Sequence, residues 1–561
     1  MSVSHAESRV HTGPRARTHS SPTDRRIVPS QVVVAQAVGV VVACIVALAG
    51  APWWAALACW LVLTAVQLVR VRGWSLLDWL ATGYRYLTRP GYQPPQVVDF
   101  QAGTGQSVGL CWSGTGVVAV VEVLPPVGSL TQITRDGFVS THLLPTDAIV
   151  SCLHQHDITL SGIDIISHGY RAASGTPATE VYERLIGPLP ATATRMVWLA
   201  LRLDASDNAE AVASRGGGAE GTARAVTVAA TRLVRALADA GCRSRILTAA
   251  EVETAALHVS RGVDPTTLTQ TWKHAPLPGV CNTGYSIEPR ALGKDLLAKL
   301  WAPASLGTTV TVRLRPGADP GTVLVGAASR STSRTLPEPL REPGLVSMSG
   351  RHRDALLANL PLAVPELESV MPLGTVEAHR VSSLGLVPAG CGQLIGSDDH
   401  GNGIAARIAG PGVSSVYVAG ELYLAQQLVF RAVATGARVL IHTDRPEAWA
   451  SLIDSIATPD RLRIAGVHPQ SENMFNTVVF DGVSALPPRA GVTGIYLYAD
   501  PSQWPSAAPD LSIVQPDAIG DRITLSTGGS SIGLMLVTIS SETAFIGHPR
   551  SLDDEYADYQ Y

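Results

Sequence analysis

The first residues with side chains suited to chemistry are His154, His156 and Asp157, in the stretch His-Gln-His-Asp at 154–157. Imidazole and carboxylate groups are metal ligands, and His154 and His156 would share one face of a strand. The segment straddles the end of a predicted helix, however, and no cysteine or acidic cluster completes a metal site. We interpret these as loop residues. A second stretch, Asp-Asp-His at 398–400, precedes a Gly-Asn-Gly turn at 401–403, and turn chemistry accounts for it without a ligand.

Two glycine-containing stretches bear on phosphate binding. Gly216–Gly218 precedes a predicted helix whose free amides could hold an anion, although a flexible helix entry is the favoured interpretation. A P-loop needs Gly-x4-Gly-Lys-Ser/Thr between a strand and a helix. The matching junction at 418–424 reads VAGELYL, with one glycine and no lysine, and Glu421 would repel phosphate. The stretch GQLIGSDDHG at 392–401 resembles the lead-in to motor domains of the FtsK type.

These observations predict a degenerate nucleotide-binding fold without hydrolysis. The sequence contains no G-x-S-x-G and no HExxH element. We therefore assign no catalytic, cofactor-binding or metal-ligating residue, and we expect no cofactor. The sequence leaves open whether residues distant in the chain come together as a catalytic dyad.

A strand–helix–strand pattern positions this junction. Residues 415–419 predict a strand, 420–435 a helix and 438–442 the next strand, which together form a βαβ unit of a parallel sheet. Further helical and β-rich segments follow, including 478–480 and 494–498. We expect residues 348–545 to form a second cytoplasmic α/β domain, which residues 331–347, rich in serine, proline and charge, connect to a first domain.

The first cytoplasmic α/β domain is predicted over residues 95–330. Val108–Trp112 and Gly116–Val123 predict a β-hairpin, and Arg195–Leu203 reads as a strand buried on both faces. A long helix is expected over 222–240, and Thr248 starts another helix with a capping-box pattern. Strands that alternate with helices indicate a mixed α/β fold class.

All of this follows an apolar stretch, residues 32–69, that contains no charged side chain. Gly50–Pro52 divides it into two helices of about 32–50 and 52–69, each near the length that a bilayer core requires. We predict a transmembrane hairpin; a signal peptide fits less well because its apolar region is shorter. Residues 70–89 predict a helix either along the lipid headgroups or packed on the soluble domain.

The charged flanks predict the topology of this hairpin, within a segment that spans about 30–90. Residues 1–30 carry five arginines against two acids, and residues 70–89 carry four against one. Positive flanks stay in the cytoplasm, so both termini are expected there. The polar residues 1–26 predict a disordered basic tail, and residues 546–561 an acidic tail. The net charge of −4 gives no basic excess, so no nucleic-acid partner is expected.

One run of segments resembles a known family. It comprises VWLALRLD at 197–204, NAEAVA at 208–213, RGGGAEG at 215–221, the predicted helix at 222–240 and LTAAE at 247–251. With the basic tail and the hairpin, this order resembles EccE, a membrane component of the actinobacterial type VII (ESX) secretion machine. The resemblance covers roughly residues 30–345. It implies a peripheral subunit of an inner-membrane translocon, assembled with EccB, EccC and EccD, of which EccC is the ATPase.

The sequence thus predicts a non-catalytic structural subunit of a type VII secretion complex. We expect the protein in the bacterial cytoplasmic membrane, in contact with the lipid bilayer. The alternatives are a membrane-anchored enzyme and a degenerate nucleotide-binding sensor.

Overall fold

The structure, a computed structural model, describes residues 29–548 except 51, 69, 72–73, 89–91, 104, 136, 174, 363–369, 467–468, 485–487 and 517–519. The predicted tail at 1–26 lies outside the described residues, as does the predicted acidic tail beyond residue 548. Contacts divide the chain into two compact units, residues 1–89 and 90–561.

The described α-helices are α1 Pro29–Leu48, α2 Trp53–Leu68, α3 Leu76–Thr88, α4 Thr146–Ser151, α5 Pro177–Ile186, α6 Ala209–Ala213, α7 Gly218–Asp239, α8 Ala249–Val259, α9 Lys294–Trp301, α10 His352–Ala358, α11 Leu422–Ala434, α12 Pro446–Ile456 and α13 Ser540–Ile546. The described strands up to the middle of the chain are β1 Arg70–Val71, β2 Trp74–Ser75, β3 Gln96–Gln101, β4 Ser107–Ser113, β5 Gly116–Val123, β6 Leu130–Ile133, β7 Phe138–Ser140, β8 His154–Gln155, β9 Ile158–Thr159, β10 Gly162–Tyr170, β11 Thr194–Asp204, β12 Ser244–Ile246, β13 Ala275–Leu277 and β14 Val280–Ile287. The later strands are β15 Gly307–Pro316, β16 Thr322–Ser333, β17 Leu345–Ser347, β18 Gly374–Glu377, β19 Gln393–Ser397, β20 Gly403–Ala406, β21 Ser415–Ala419, β22 Val439–Thr443, β23 Leu462–Ile464, β24 Thr477–Asp481, β25 Thr493–Tyr498, β26 Leu511–Val514, β27 Arg522–Thr527 and β28 Ser530–Leu536.

The first unit contains the predicted pair of helices, and α1 and α2 contact each other. Gly50, at φ 84°, lies between them, where its lack of a Cβ allows the turn. In the part of the chain that the structure describes, no helix combines the length and the apolar run needed to cross a bilayer, so the prediction of a transmembrane hairpin at 32–69 is not supported.

The helix predicted over 70–89 begins later than expected. Arg70–Val71 and Trp74–Ser75 pair as a short antiparallel ladder, and α3 starts at Leu76. Leu80, Tyr84 and Leu87, whose spacing puts them on one apolar face of this helix, are exposed on the described surface. The structure therefore confirms a helix here, without testing whether lipid or protein covers that face.

In the second unit, the first sheet has the order β13-β14-β16-β15-β10-β11-β5-β4-β3, with antiparallel neighbours throughout. β11 lies at its centre and is buried on both faces, as predicted. Val197, Leu199 and Leu201 pack into one apolar core, while Trp198 and Ala200 pack into another on the opposite face. The predicted hairpin of β4 and β5 is also confirmed.

Helices cover both faces of this sheet. α7 contributes Val226, Leu233 and Leu237 to the first core, whereas α8 contributes Val252 to the second. The predicted capping box of α8 is present: Thr248 accepts a hydrogen bond from the Glu251 backbone amide, and the Glu251 carboxylate accepts one from the Thr248 amide. This pairing stabilises the helix start because it satisfies amide groups that have no partner inside the helix.

The second sheet has the order β23-β22-β24-β25-β21-β26-β27-β28-β19-β20-β6-β7. Strands from β23 to β26 are parallel and the remaining pairs are antiparallel. The predicted βαβ unit of β21, α11 and β22 is confirmed as parallel, with β24 and β25 lying between its two strands. α5, α11, α12 and α13 supply the helical part of the core on one face.

Both sheets belong to residues 90–561. β6 and β7, at Leu130–Ser140, pair with β20 and so join the second sheet although they lie early in the chain. The division into domains at 95–330 and 348–545, with a linker at 331–347, remains a prediction. A mixed α/β fold with two large sheets is what the structure establishes.

Candidate functional site

The carboxyl ends of the parallel strands meet at one edge of the second sheet. In open α/β sheets, ligands bind outside this edge, at the point where the strand order reverses. The reversal falls at β21, because β25, β24 and β22 lie on one side of it and β26 lies on the other. This edge is therefore the candidate functional site, and the side chains of Glu421, Asp481 and Gln515 lie along it.

Asp481 ends β24 and is buried. Its carboxylate accepts hydrogen bonds from the Thr443 hydroxyl at 2.9 Å and from the Trp449 indole N–H at 2.8 Å. The Arg445 guanidinium donates from Nη2 to Oδ1 at 2.6 Å and from Nε to Oδ2 at 3.0 Å. Burial raises the pKa of Asp481, but the hydrogen bonds from these three donors outweigh burial and hold that pKa below its usual range.

This arrangement limits what Asp481 can do chemically. A carboxylate at the end of such a strand is suited to hold a magnesium ion beside a phosphate. Here both carboxylate oxygens already accept hydrogen bonds, and Arg445 supplies the compensating charge. A cation would have to displace that guanidinium, so the geometry is that of an ion pair that fixes the ends of β22 and β24.

The junction between β21 and α11 is closed in a similar way. Glu421 is the N-cap residue of α11, and its backbone amide donates to Gln515 Oε1 at 2.9 Å. Gln515 Nε2 donates in turn to the Gly520 carbonyl at 2.6 Å and to Glu421 Oε1 at 3.3 Å. A Cβ at Gly420 would lie 2.7 Å from Gln515 Oε1, so the Gln515 side chain fills the space beside the loop.

The Glu421 amide, which could otherwise face a phosphate, is thus bonded to Gln515 and lies next to the Glu421 carboxylate. Helix N-termini attract anions through free amides and the helix dipole. At α11 the first of these amides is occupied by Gln515, and the negative charge of Glu421 opposes a second anion. The junction at 418–424 is thus closed by Gln515, a residue that sequence reasoning did not single out.

A buried ion pair holds α11 in place. Arg431 of α11 and Glu542 of α13 are each about 1% exposed, and the guanidinium donates from Nε to Oε1 and from Nη2 to Oε2, both at 2.7 Å. Arg431 Nη1 also donates to the Leu394 carbonyl at 2.9 Å, and Nη2 donates to the Val537 carbonyl. Because Glu542, Leu394 and Val537 all lie outside α11, Arg431 fixes this helix against the antiparallel half of the sheet and the last described helix.

The structure does not bring the first predicted candidates together as a site. His154 lies in the short strand β8, and His156 lies in the following turn at φ 54°. The Asp157 carboxylate pairs with Arg215, with Nη1 2.5 Å from Oδ2. Across the described residues, no group of three His, Cys, Asp or Glu side chains is arranged to hold a metal ion.

Asp398 is a turn residue, as its sequence context indicates. Its carboxylate accepts hydrogen bonds from the backbone amides of His400 at 2.9 Å and Asn402 at 2.8 Å. It also accepts one from the Gln132 side chain at 2.8 Å, which ties the turn to β6. These contacts account for Asp398 without a ligand.

Gly216–Gly218 forms the entry to α7. All three residues have positive φ, at 106°, 70° and 58°, which only glycine adopts at little cost. Arg224 Nη1 donates to the Arg215 carbonyl at 2.9 Å across this turn. The glycines are therefore explained by the reversal that the chain makes between α6 and α7.

Comparison with known proteins identifies the region around β11 and α7. Residues 191–287 match the EccE family model, described as "Putative type VII ESX secretion system translocon, EccE". This segment is similar to EccE proteins. It contains β11, α6, α7, β12, α8, β13 and β14. β11 lies in the interior of the first sheet and β13 and β14 lie at one edge, while α7 and α8 pack on opposite faces. The resemblance to EccE that the sequence predicts is confirmed.

Curated relatives carry the same name. ESX-1 secretion system protein EccE1 of Mycolicibacterium smegmatis is 26% identical over 312 residues, which are 55% of this chain and 62% of the relative. EccE1 of Mycobacterium tuberculosis is 32% identical over 196 residues, 34% of this chain and 42% of the relative. ESX-5 secretion system protein EccE5 of Mycobacterium marinum is 25% identical over 364 residues, which are 59% of this chain and 88% of the relative. The chain thus spans less than two thirds of the EccE1 proteins that it matches.

Proposed function

We propose that this chain is a structural, non-catalytic subunit of a type VII (ESX) protein-secretion membrane complex. The observation that carries this proposal is the EccE region at 191–287, which builds the core of the first sheet rather than a peripheral loop. Relatives named as ESX secretion system proteins align with up to 70% of the chain. The geometry of the candidate site supports a non-catalytic role, because the Asp481 carboxylate and the first amide of α11 both bond to other residues of the chain.

We further propose that the helix pair α1 and α2 attaches the chain to the cytoplasmic membrane. Large apolar side chains are exposed on the described surface of this pair, among them Ile45, Leu48, Trp53 and Leu61. A water-exposed patch of this kind indicates contact with lipid or with another apolar helix. The arginines on both flanks favour a topology in which both termini are cytoplasmic, with the unit at 90–561 on the same side.

The partners that we propose are the other membrane subunits, EccB, EccC and EccD, which the family resemblance implies. A row of aromatic side chains supports a protein-binding role for the second sheet. On the face opposite its helical core, the ring of Tyr417 lies 5.5 Å from that of Tyr496 and 5.7 Å from those of Tyr498 and Trp504, measured between centroids. Tyr496, Tyr498 and Trp504 are partly exposed.

Aromatic side chains that combine an apolar body with a polar tip are enriched in protein interfaces. The row continues across the sheet, because Phe480 stacks on Tyr496 at 5.2 Å and His442 stacks on Phe480 at 5.5 Å. Few charges interrupt it, which suits the centre of an interface rather than its rim. We therefore propose this aromatic row as a contact surface for a partner subunit.

Secretion in the native host tests the proposed function. Deleting the chain should abolish export of the substrates of its secretion system, and the wild-type chain should restore it. A Tyr496→Ser/Tyr498→Ser variant should restore export poorly at wild-type protein levels. Leu257→Ser, which alters an exposed apolar residue on α8, is the matched control and should restore export fully. Unchanged export in the deletion strain would contradict the proposal.

The second candidate, a degenerate nucleotide sensor, rests on the parallel strands and on the strand-order reversal at β21. A ligand that binds only the folded state stabilises it by RT ln(1 + L/Kd), where L is the free ligand concentration, so the unfolding temperature rises with ligand concentration. We expect no rise in the unfolding temperature with millimolar ATP and magnesium that originates at the strand edge, because Gln515 closes the start of α11 and Arg445 already pairs with Asp481. A rise with ATP that persists in an Arg261→Gln/Arg461→Gln variant, whose substitutions lie away from this edge, would favour the sensor.

A further inference from the structure

A cavity of about 310 Å³ lies apart from the strand edge, between the two sheets of the second unit. His168 of β10 and His258 at the end of α8 form part of its wall, and the two rings meet edge to face at 5.4 Å. Arg261, just beyond α8, and Arg461, just before β23, line it as well. Its size is at the lower end of the range for small-molecule sites.

A fully buried guanidinium stands directly behind this wall. Arg330 of β16 is about 1% exposed, and its Nη2 lies 3.4 Å from His168 Nδ1. Nη1 donates to Asn282 Oδ1 and to Thr332 Oγ1, both at 2.6 Å, and Nη2 donates to the Val259 carbonyl at 2.5 Å. Within the described residues, every acceptor that Arg330 contacts is electrically neutral.

Burying a guanidinium without a carboxylate leaves its positive charge uncompensated. The field of that charge reaches the cavity wall. Burial lowers the pKa of His168 well below its ordinary value, and Arg330 and Arg261 lower it further. Burial likewise lowers the pKa of His258, with Arg330 and Arg261 acting in the same direction. Three arginines therefore make the site positive while both imidazoles stay neutral at pH 7.

The residues that line the cavity offer no compensating charge. Among the described residues of the lining, none is acidic. Arg461 donates only a long hydrogen bond, 3.4 Å, to the Gly436 carbonyl, and Arg261 is exposed at the mouth of the cavity. Two guanidinium groups at an open cavity, in front of a third buried one, match the charge and the hydrogen-bonding capacity of a phosphate group.

We propose that this cavity binds a phosphate group, either of a small soluble molecule or of a lipid headgroup. Arg261 and Arg461 would contact the phosphate oxygens, and His258 would supply a further polar contact. The positive charge of buried Arg330 would attract the phosphate electrostatically without touching it. The site is separate from the strand edge at β21 and does not depend on the proposed role in secretion.

Thermal unfolding of the full-length chain in mild neutral detergent tests this proposal. One arm adds inorganic phosphate, with chloride at equal ionic strength as the reference. The other arm adds phosphatidylglycerol to the micelles, with phosphatidylcholine as the reference. Stabilisation by phosphate indicates a soluble ligand, and stabilisation by phosphatidylglycerol alone indicates a headgroup. Either result supports the proposal only if substitution of Arg261 or Arg461 weakens the stabilisation.

The variants replace residues at the cavity mouth, because a change at buried Arg330 could prevent folding. Arg261→Gln and Arg461→Gln should each weaken binding about tenfold, as expected for one charged contact worth about 1.4 kcal/mol. Arg235→Gln, which removes an exposed arginine on α7, is the charge-matched control and should bind as the wild type does. The proposal is overturned if neither arm stabilises the chain, or if both cavity variants respond like the control.

Discussion

At the scale of single residues, buried charges distinguish this chain. Asp164 of β10 is fully buried at the centre of the first sheet. Its carboxylate accepts hydrogen bonds from Arg313 Nε at 2.6 Å and Nη2 at 2.7 Å. It also accepts one from Arg202 Nε at 2.7 Å. The three residues lie on neighbouring strands, so their charges hold β11, β10 and β15 in register.

Removing the charge of Asp164 should be strongly destabilising. Asp164→Asn would leave two buried or half-buried guanidinium groups without their anion, and breaking such a pair costs about 3–5 kcal/mol. Denaturant unfolding of the full chain measures this loss. Asp157→Asn, at the exposed pair with Arg215, is the control and should change stability little. Equal losses of stability from the two substitutions would contradict the claim that the buried ion pair matters more to stability than the exposed one.

The lowered pKa of Asp164 also predicts that the stability of the fold decreases in acid. Burial raises its pKa, but the charges and hydrogen bonds of Arg202 and Arg313 outweigh burial and bring the pKa to about 2. An unfolded aspartate has a pKa of about 3.9, so the folded state binds this proton less readily. Its contribution is therefore complete above about pH 4 and is lost as the pH falls from about 4 towards 2.

Acid titration followed by circular dichroism should show this loss in the wild type. Asp164→Asn has no group that titrates there, so its stability should vary less over the same interval. A variant whose stability falls as steeply as that of the wild type between pH 4 and 2 would assign the acid sensitivity to other carboxylates.

Residues such as Asp398 and Thr248 could be interpreted from the sequence, whereas Asp164 could not. The turn at Asp398 and the capping box at Thr248 use partners within four positions in the chain. The partner of Asp164 in β15, Arg313, is 149 positions away, and that of Asp481 is 36 positions away. Only the strand order brings these groups together. For Asp481, the signal in the sequence was an apolar strand, TVVFD, that ends in a carboxylate.

At the scale of elements, α11 is the helix on which the second sheet depends. Nearly every side chain of α11 is buried, including the polar residues Gln427 and Arg431. An amphipathic surface helix would expose one side. The pattern of α11 is explained by its neighbours, because α5, α12, α13 and β19 all pack against it. Of these, α13 supplies the carboxylate partner of Arg431 and β19 supplies a carbonyl partner.

The pair of Arg431 and Glu542 can be tested by a double-mutant cycle. Arg431→Met alone should cost about 3–5 kcal/mol, because it leaves the Glu542 carboxylate buried without its cation. Arg431→Met/Glu542→Leu should be less destabilised than Arg431→Met, since no buried charge remains. Denaturant unfolding provides the free energies. Strictly additive losses would show that the two side chains are not coupled.

The elements themselves were largely predictable, but their neighbours in the sheets were not. Alternating and continuous apolar runs predicted β4, β5, β11, β21 and α7 close to their observed bounds. Apart from the hairpin of β4 and β5, the same patterns contain no information on which strands pair. The insertion of β24 and β25 between β21 and β22, and the pairing of β6 with β20, depend on packing between distant segments.

At the scale of the whole molecule, the two compact units differ in the surfaces that they expose. The unit at 1–89 exposes apolar side chains on α1 and α2, whereas the unit at 90–561 buries extensive apolar cores beneath both sheets. We infer that the first unit provides the contact with the membrane and the second provides the contacts with protein partners. The parallel-strand edge, closed by Arg445 and Gln515, acts as a scaffold in this account.

The proposed topology predicts the behaviour of fusion proteins. A C-terminal fluorescent reporter that folds only in the cytoplasm should be active, and a C-terminal alkaline phosphatase should be inactive. Phosphatase activity at the C-terminus would contradict a cytoplasmic second unit, because that enzyme needs an oxidising compartment.

The central claim is that this chain works as a subunit of a larger secretion complex, and isolation from native membranes tests it most directly. The affinity-tagged full-length chain is solubilised in mild detergent, separated by size, and its companions are identified by mass spectrometry. The account predicts a large assembly that contains the membrane ATPase of a type VII system. A monomer that elutes without any membrane ATPase would contradict it.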